Sequence, residues 1–459
     1  MPTSAKNLSD VYDTLDPRPL TKPDEFKAFY REGLDKVRGG QVVDKFQRRL
    51  EKAHNALPFK ALLMGHPGNG KSTELSRLTF AVEDRYVVYR FSVKRDLDPG
   101  AFRPFDVLAL LLVGLAEQAA KPVADGGIDF KPPDSLIQRV VGWFSATKIV
   151  KKEATAAGAS ATTSIGLDAD TWWAKLMGLS AQIKGEMRYA AERNKEVVEY
   201  QLQRLSSLID LLNELLDLLR EEAFKRAKKD WLIIGEDFDS PGIDPSLVQS
   251  FFVTYANVLN ELRISNIFTL PVSLAYSEYY SRLPCPPTVL YDTPVYGEQN
   301  QPHAEGRKAL REIIEARVVM SLFAPGELDR MLVASGGNLR DLFSLVRDAA
   351  DSAESRAVAQ IEDEDATAAI NKLRHAVRSR LGQGPSDDIG YDAKADRLKA
   401  IYSRAPKANM PDKVLSSLLR SRSVQEFNGK GRLGIPPLVV DLLIEQGVLA
   451  AGSAGGTLA

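Results

Sequence analysis

A glycine-rich loop carries the clearest chemistry in the sequence. Residues 65–72 read Gly-His-Pro-Gly-Asn-Gly-Lys-Ser and match the spacing G-x-x-x-x-G-K-[ST] without deviation. The apolar run 61–64 precedes this phosphate loop, and residues 73–82 are predicted to form the helix after it. A strand that turns into a helix in this way points backbone N–H groups and the helix N-terminus at one place, which suits a chain of phosphates. The loop therefore predicts binding of a nucleoside triphosphate.

The residues of the phosphate loop have distinct expected roles. Lys71 reaches the β- and γ-phosphates, and the Ser72 hydroxyl completes the shell of a Mg²⁺ ion. Pro67 lacks an N–H, but it comes early in the loop, where a lost donor matters least. The residues expected to contact ATP are Gly65, Pro67, Gly68, Asn69, Gly70, Lys71, Ser72 and Thr73. The alternative is a chance match in an ordinary glycine-rich turn.

A second group of chemistry-bearing residues follows the apolar run 231–235. Glu236, Asp237 and Asp239 come after this run. A buried strand that ends in carboxylates delivers them to the crevice in which α/β sheets bind ligands. Hydrolysis of a metal-bound phosphate needs one acid near the metal and another that polarises the attacking water. By position we assign Glu236 to the metal and Asp237 to the water, with Asp239 as a cap or an alternative. The competing interpretation is an acidic cap on the next helix.

A further predicted strand, residues 266–273, carries two hydroxyl side chains. Ser273 at its end, or Thr269 within it, can contact the γ-phosphate or the attacking water. Either hydroxyl can equally be a routine strand-end group. Together with the strand predicted at 86–93 and the helix at 105–119, the pattern predicts an α/β fold with a parallel sheet covered on both faces.

Composition limits the classes of function. The 459 residues are too many for one hydrophobic core and indicate about three domains. The net charge of −1 provides no global basic field, so any nucleic-acid site must be local. The single cysteine, Cys285, fits a reducing cytoplasm, and the four scattered histidines lack the spacing of a zinc site. The longest apolar run, 107–116, is too short to cross a bilayer, so we expect a cytoplasmic protein without a membrane partner.

Several segments are expected to organise the chain. Residues 1–24 are predicted to be an extended, proline-broken strap, and 25–300 the P-loop core. Within the core, 121–182 is an insertion that forms either a solvated loop or a β-hairpin. Residues 183–229 are a long helical region that packs on the sheet or docks a partner helix. The tail 451–459 is expected to be disordered.

These segments resemble the AAA+ superfamily of P-loop ATPases, in the branch that holds origin-recognition-like and signal-transduction (STAND-like) ATPases. The resemblance rests on residues 65–75, on 232–239, on the strand ending near Ser273, and on 335–343, which read S-G-G-N-L-R-D-L-F. It covers roughly residues 25–380.

The resemblance implies a helical lid at 301–382 and roles for two arginines. Arg340 looks like the sensor-2 arginine that contacts the nucleotide from the lid. Arg282 stands where the family often places an arginine finger for the neighbouring subunit of an oligomer, although it can also be a surface arginine. The acidic pair at 236–237 reads Glu-Asp where the family usually has Asp-Glu, which fits a slow ATPase switch acting on a protein effector. Bacterial relatives of this kind are commonly associated with antiphage defence.

The C-terminal region 385–450 resembles a winged helix. Helices are followed by Asn428-Gly429, a strong hairpin signal between two short extended arms. Residues 401–432 hold a local excess of basic side chains, which are Arg404, Lys407, Lys413, Arg420, Arg422, Lys430 and Arg432. This excess permits contact with a DNA backbone. Two alternative functions therefore stay open: a DNA-associated loader, initiator or transposition regulator, and a scaffold that holds nucleotide without turnover.

Overall fold

The computed structural model describes residues 3–39, 41–53, 57–140, 142–143, 199, 202–298, 300–382, 387–427 and 432–457. Most of the insertion predicted at 121–182 and the first part of the helical region at 183–229 lie outside these residues. The Asn428-Gly429 turn lies outside them as well.

Five parallel strands form the central sheet. They are β1 (Lys60–Met64), β2 (Tyr86–Ser92), β3 (Asp230–Glu236), β4 (Ser265–Leu270) and β5 (Thr288–Val289), in the order β2-β3-β4-β1-β5. Because all the strands are parallel, their carboxyl ends meet at one edge of the sheet. The phosphate loop follows β1 and the acidic residues follow β3, so both arrive at that edge.

Side chains of alternate residues in β3 enter cores on opposite faces of the sheet. Leu232 and Ile234 pack with the helices Val42–Lys52 and Lys71–Val82 on one face. Trp231 and Ile233 belong to the core on the other face. The helices on that other face are Pro104–Ala120, Leu205–Ala227, Pro245–Gln249 and Ala256–Glu261. The period-2 alternation explains why β3 is apolar throughout, as expected for a strand buried on both faces.

The second half of the chain is mainly helical. Its helices are Ala304–Glu315, Glu327–Ala334, Leu339–Ser355, Asp363–Leu381, Tyr391–Tyr402, Lys413–Arg420 and Pro437–Glu445. Strand β6 (Gln425–Phe427) pairs antiparallel with β7 (Arg432–Gly434). We refer to residues 387–457, which combine helices with this hairpin, as the C-terminal unit. The helices at 304–381 and the C-terminal unit share one hydrophobic core. Among the described residues, no helix has the length and apolar character needed to cross a membrane.

The prediction of an extended strap over 1–24 is wrong for Leu8–Thr14, which is a helix. The Asn7 side chain accepts from the Asp10 N–H and caps it, while Leu8 and Val11 are buried in the core shared by the lid. Three more helices follow before β1, and they are Pro23–Phe29, Gly33–Val37 and Val42–Lys52.

The prediction of a disordered tail is wrong for residues 451–457. Tyr296 donates its hydroxyl proton to the Gly456 carbonyl at 2.6 Å, and the Thr457 N–H donates to Asp441 at 2.9 Å. Small residues fit this position because glycine tolerates close approach: a Cβ at Gly456 would lie 2.2 Å from an Asp441 oxygen.

Candidate functional site

The backbone of the phosphate loop requires glycine at two positions. Gly68 and Gly70 have φ of +87° and +100°, in the left-handed region that glycine occupies without strain. A Cβ on Gly68 would also lie 2.7 Å from the Asn338 side chain, because the start of the helix Leu339–Ser355 packs directly on the loop. We call this helix the lid helix. The loop is therefore shaped by both local geometry and the lid.

Lys71 is buried at the centre of the site. Its Nζ donates to the carbonyls of Gly65 at 3.0 Å and His66 at 2.7 Å, and it lies 2.9 Å from Asp239 Oδ2. The side chains of Lys71 and Asp239 are only 6% and 8% exposed. Asp239, rather than Glu236 or Asp237, is thus the carboxylate that faces the lysine.

Glu236 is held by an arginine that the sequence analysis did not identify. Arg90 Nε donates to Glu236 Oε1 at 2.8 Å, and its Nη1 donates to Ser76 Oγ at 2.8 Å. Its Nη2 lies 3.5 Å from the Ser72 carbonyl. Arg90 therefore connects the metal candidate Glu236 to the helix that carries Ser72. A charged residue inside the otherwise apolar and aromatic β2 was the available signal.

Asp237 adopts a left-handed backbone conformation, with φ of +69°. Its carboxylate accepts a short hydrogen bond from the Ser92 hydroxyl at the end of β2, and its carbonyl accepts from the Ser240 N–H at 3.0 Å. Non-glycine residues in this region are uncommon and are held there by their surroundings. The neighbouring carboxylates therefore point in different directions after β3: Glu236 contacts Arg90, whereas Asp237 contacts Ser92.

A cleft of about 100 Å³ lies over the phosphate loop. Its lining residues are Pro17, Arg18, Pro19, Pro67, Gly68, Gly70, Lys71, Ser72, Thr73, Asp237, Asp239, Ser240, Leu339, Arg340 and Phe343. The strap is fixed beside it, since the Leu20 N–H donates to Thr73 Oγ1 at 3.3 Å. The volume is below the roughly 300–1,000 Å³ of ligand pockets, so the strap and lid enclose the loop closely.

The donor groups in this cleft fit a phosphate chain. Within the described part of the chain, the N–H groups of Gly70, Lys71 and Ser72 have no hydrogen-bond acceptor. Unpaired amides at a helix N-terminus, next to a lysine, are the groups that bind phosphate oxygens.

The oxygen groups at the same edge fit Mg²⁺ bound together with phosphates. Ser72, Glu236, Asp237 and Asp239 supply a hydroxyl and carboxylates, which are the hard ligands that Mg²⁺ prefers. Among the described residues, no three His, Cys, Asp or Glu side chains form a cluster that could hold a metal alone. Mg²⁺ usually binds through one or two carboxylates plus substrate phosphates, and the oxygen groups at this edge fit that mode of binding.

The lid helix contacts the loop through its first residues. Asn338 caps this helix and donates its Nδ2 proton to the Pro67 carbonyl at 3.0 Å. The Arg340 N–H donates to the Gly68 carbonyl at 3.2 Å, and the Arg340 side chain lines the cleft. Arg340 is therefore where the resemblance to sensor 2 expects it, although its role stays a prediction.

Three other predicted residues lie away from the cleft. The strand predicted at 266–273 ends at Leu270, because Pro271 lacks the N–H that would continue the ladder. Ser273 is buried in the turn Val272–Tyr276, and Thr269 has no partner for its buried hydroxyl within the described chain. Neither lines the cleft. Arg282 is exposed on the turn Tyr280–Arg282.

A buried acid–imidazole pair lies behind the phosphate loop. His66 Nε2 and Asp292 Oδ2 are 3.5 Å apart, and both side chains are almost fully buried. Burial raises the pKa of Asp292 to about 7, partly offset by Arg38, Arg422 and Lys71. Burial, reinforced by Arg422 and Lys71, lowers the pKa of His66 to about 3, so the imidazole is neutral at pH 7. The phosphate loop therefore contains a buried, uncharged histidine.

Asp292 gives the free energy of unfolding a specific pH dependence. The pKa of its carboxyl is about 4 in the unfolded chain and about 7 in the folded chain. Between these values the unfolded chain carries the charge and the folded chain does not. The stabilisation that Asp292 contributes therefore falls as pH rises from about 4 to about 7, with a slope approaching about 1.4 kcal/mol per pH unit. Urea unfolding across this range should show wild type losing stability relative to Asp292→Asn; parallel curves would contradict the shift.

Comparisons with known proteins identify similar structures only. No protein-family model matches the chain, and neither does any curated protein. The ORC2 protein of Aeropyrum pernix, in ADPNP–ADP complexes, is 12% identical over 91% of this chain and 97% of its own, with a TM-score of 0.42. Cdc6p from Pyrobaculum aerophilum is 12% identical, covering 95% and 98%, with a TM-score of 0.39. The ORC1 protein of Aeropyrum pernix in complex with DNA is 14% identical, covering 89% and 92%, with a TM-score of 0.36.

The topology of the chain itself gives the fold. The strand order β2-β3-β4-β1-β5, the phosphate loop after β1 and the lid helix over that loop define an AAA+ type of P-loop fold. The helices at 304–381 add a helical lid to that fold, and the C-terminal unit of helices and a hairpin is winged-helix-like. The resemblance drawn from the sequence is confirmed at the level of fold.

Proposed function

We propose that this protein binds ATP with Mg²⁺ at the phosphate loop and hydrolyses it slowly, as a conformational switch. The observation that carries the proposal is the cleft itself. Unpaired amides of Gly70, Lys71 and Ser72 lie beside a buried ammonium and beneath the lid. The oxygens of a triphosphate satisfy these donors together and neutralise the ammonium.

Nucleotide binding exchanges one set of ionic contacts for another. Lys71 now contacts two carbonyls and Asp239. Phosphate oxygens carry more charge than carbonyls, so the ammonium turns from them to the β- and γ-phosphates. Asp239 loses its lysine partner in this exchange and becomes available to the metal or its water shell. The release of Asp239 makes the acidic turn after β3 sensitive to the nucleotide.

The residues that would hold Mg²⁺ are Ser72 through its hydroxyl and Glu236 or Asp239 through water. When bound, Mg²⁺ neutralises charge on the transferred phosphate. Asp237 is the proposed base that orients the attacking water. Its carboxylate is bound by Ser92, and it is shorter than the glutamate usual in this family. Both features favour slow turnover.

Lid movement is the proposed output of the switch. The cleft is smaller than a nucleotide pocket, so the strap and lid helix must separate to admit ATP. Asn338 and the backbone of Arg340 hold the lid to the loop and must adjust in that step. The proposal includes a protein effector that responds to the lid. A role in antiphage defence is included on the resemblance alone.

Arg282 is the proposed arginine finger of a homo-oligomer. Its exposure on the turn Tyr280–Arg282 leaves it free to reach a neighbouring subunit. Arg282→Ala should lower turnover by about 100-fold or more while ATP still binds, because such arginines act on charge that develops during hydrolysis. Steady-state phosphate release tests this, with exposed Arg263→Ala as the matched control.

Mixing distinguishes action between subunits from action within one. An equal mixture of Arg282→Ala with Lys71→Ala should recover part of the activity, since each subunit supplies what the other lacks. Unchanged turnover in Arg282→Ala alone would remove Arg282 from the site.

The DNA-associated alternative depends on a different surface. Arg404, Lys407 and Arg432 line one groove of about 560 Å³ in the C-terminal unit. Arg422, however, is engaged with Asp341 and is not part of that groove. Salt-dependent binding of duplex DNA that is lost in Arg404→Ala would favour this alternative. The scaffold alternative predicts nucleotide binding without phosphate release.

Titration with ATP, ADP and GTP in the presence of Mg²⁺, together with phosphate release, tests the proposal. We expect saturable ATP binding and slow release of phosphate above the rate without protein. Binding without release would favour the scaffold. No binding would reject the proposed function.

A further inference from the structure

Arg422 of the C-terminal unit forms a two-pronged ion pair with the lid helix. Its Nη1 lies 3.0 Å from Asp341 Oδ2, and its Nη2 donates to Asp341 Oδ1 at 3.1 Å. The side chains of Arg422 and Asp341 are only 12% and 16% exposed. A parallel pair of charge-assisted hydrogen bonds fixes both distance and orientation, which distinguishes it from an ordinary surface ion pair.

The same guanidinium reaches the phosphate loop. Arg422 Nη1 lies 3.5 Å from the Pro67 carbonyl, which also accepts from Asn338 at 3.0 Å. Asp341 is the residue after Arg340, whose N–H donates to the Gly68 carbonyl. The phosphate loop, the start of the lid helix and the C-terminal unit therefore meet at one point.

The backbone around Arg422 is constrained to this position. Arg422 has φ of +57° at the left-handed position that ends the helix Lys413–Arg420, where the Ser423 N–H donates to the Leu418 carbonyl at 2.9 Å. It follows the helix Lys413–Arg420, which packs against the turn Val272–Tyr276 of the core. A helix that is packed on the core thus presents Arg422 to the phosphate loop.

We propose that Arg422 is a positioning residue that couples nucleotide binding to the C-terminal unit. The inference rests on the proposed function, because it takes the cleft to be the nucleotide site. Nucleotide that moves the loop or lid must stretch the contacts of Arg422 with Pro67 and Asp341. By thermodynamic linkage, the position of the C-terminal unit must then alter nucleotide binding by the same factor.

Nucleotide dissociation and hydrogen exchange of the full chain test this coupling. In Arg422→Ala a fluorescent ATP analogue should dissociate about tenfold more slowly than from wild type, because bound nucleotide no longer has to stretch these charge-assisted contacts. ATP should change amide exchange at Gln425–Phe427 in wild type but not in Arg422→Ala. Arg422→Lys, which keeps the charge but not the fork, should be intermediate.

Two further variants separate coupling from loss of fold. Lys399→Ala is the matched control, since Lys399 is an exposed cation in the same unit. Asp341→Ala should change the dissociation rate as Arg422→Ala does. The double variant should change it no more than either single variant, because both substitutions remove the same contact. Equal dissociation rates in wild type and Arg422→Ala, or an equal change of rate in Lys399→Ala, would overturn the coupling. Failure of wild type to bind ATP would instead reject the proposed function.

Discussion

Lys71→Ala is expected to abolish ATP binding. The Lys71 ammonium is buried at the loop within reach of the phosphates, and its removal should weaken ATP binding at least about 100-fold. Equilibrium titration with ATP and Mg²⁺ measures the loss. Lys94→Ala, which removes an exposed lysine after β2, serves as the control and should bind as wild type does.

Lys71→Ala also leaves the buried Asp239 carboxylate without its partner. An uncompensated buried charge destabilises a protein by about 3–5 kcal/mol, and reduced stability alone would then lower ATP binding. Lys71→Ala combined with Asp239→Asn removes that charge as well. The double variant should recover stability but not ATP binding. Recovery of binding would show that Lys71 acts only through Asp239.

Asp237→Asn is expected to stop phosphate release while ATP still binds. An amide cannot accept the proton of the attacking water, and loss of a general base typically costs about 10²–10⁴-fold in rate. The shape of the turn should persist, because asparagine tolerates the left-handed φ of +69° seen at this position. Single-turnover phosphate release and ATP titration separate the two effects.

Asp84→Asn provides the matched control for Asp237→Asn. Asp84 is an exposed acid just beyond the far end of the helix Lys71–Val82. It should release phosphate at the wild-type rate. A wild-type rate in Asp237→Asn would exclude Asp237 as the base and leave Glu236 as the candidate.

The parts of the site that could be predicted are those set by local sequence. The loop 65–72 could be recognised because its motif places a left-handed turn, free amides and a lysine within a few residues. The acids at 236–239 were placed at the sheet edge because a strand buried on both faces is apolar until it ends. The helix predicted at 105–119 is observed at Pro104–Ala120 for the same local reason.

The contacts that could not be predicted join residues far apart in the sequence. Arg90 and Glu236 are separated by 146 positions, and Asn338 and Pro67 by 271. No periodicity or motif specifies such a pairing, because it depends on how the strands are ordered in the sheet. Asp239 was not predicted as the partner of Lys71, because the direction of the side chains after β3 depends on the left-handed turn at Asp237.

The strap was mispredicted because its partners lie in the lid. Prolines at 17, 19 and 23 indicate an extended segment, and 17–20 does pass along the phosphate loop. The preceding helix Leu8–Thr14 is stabilised by packing on the lid helix, more than 300 residues later. Tertiary burial of its apolar face decides the conformation there.

Hydrogen exchange of the wild-type protein with and without an unhydrolysed ATP analogue and Mg²⁺ tests the nucleotide site most directly. Slower exchange is expected at residues 68–73, where the unpaired amides would bind phosphate, and altered exchange at 339–343 in the lid helix. Exchange that is unchanged at 68–73 while the analogue is bound would place the nucleotide elsewhere and contradict the proposed site.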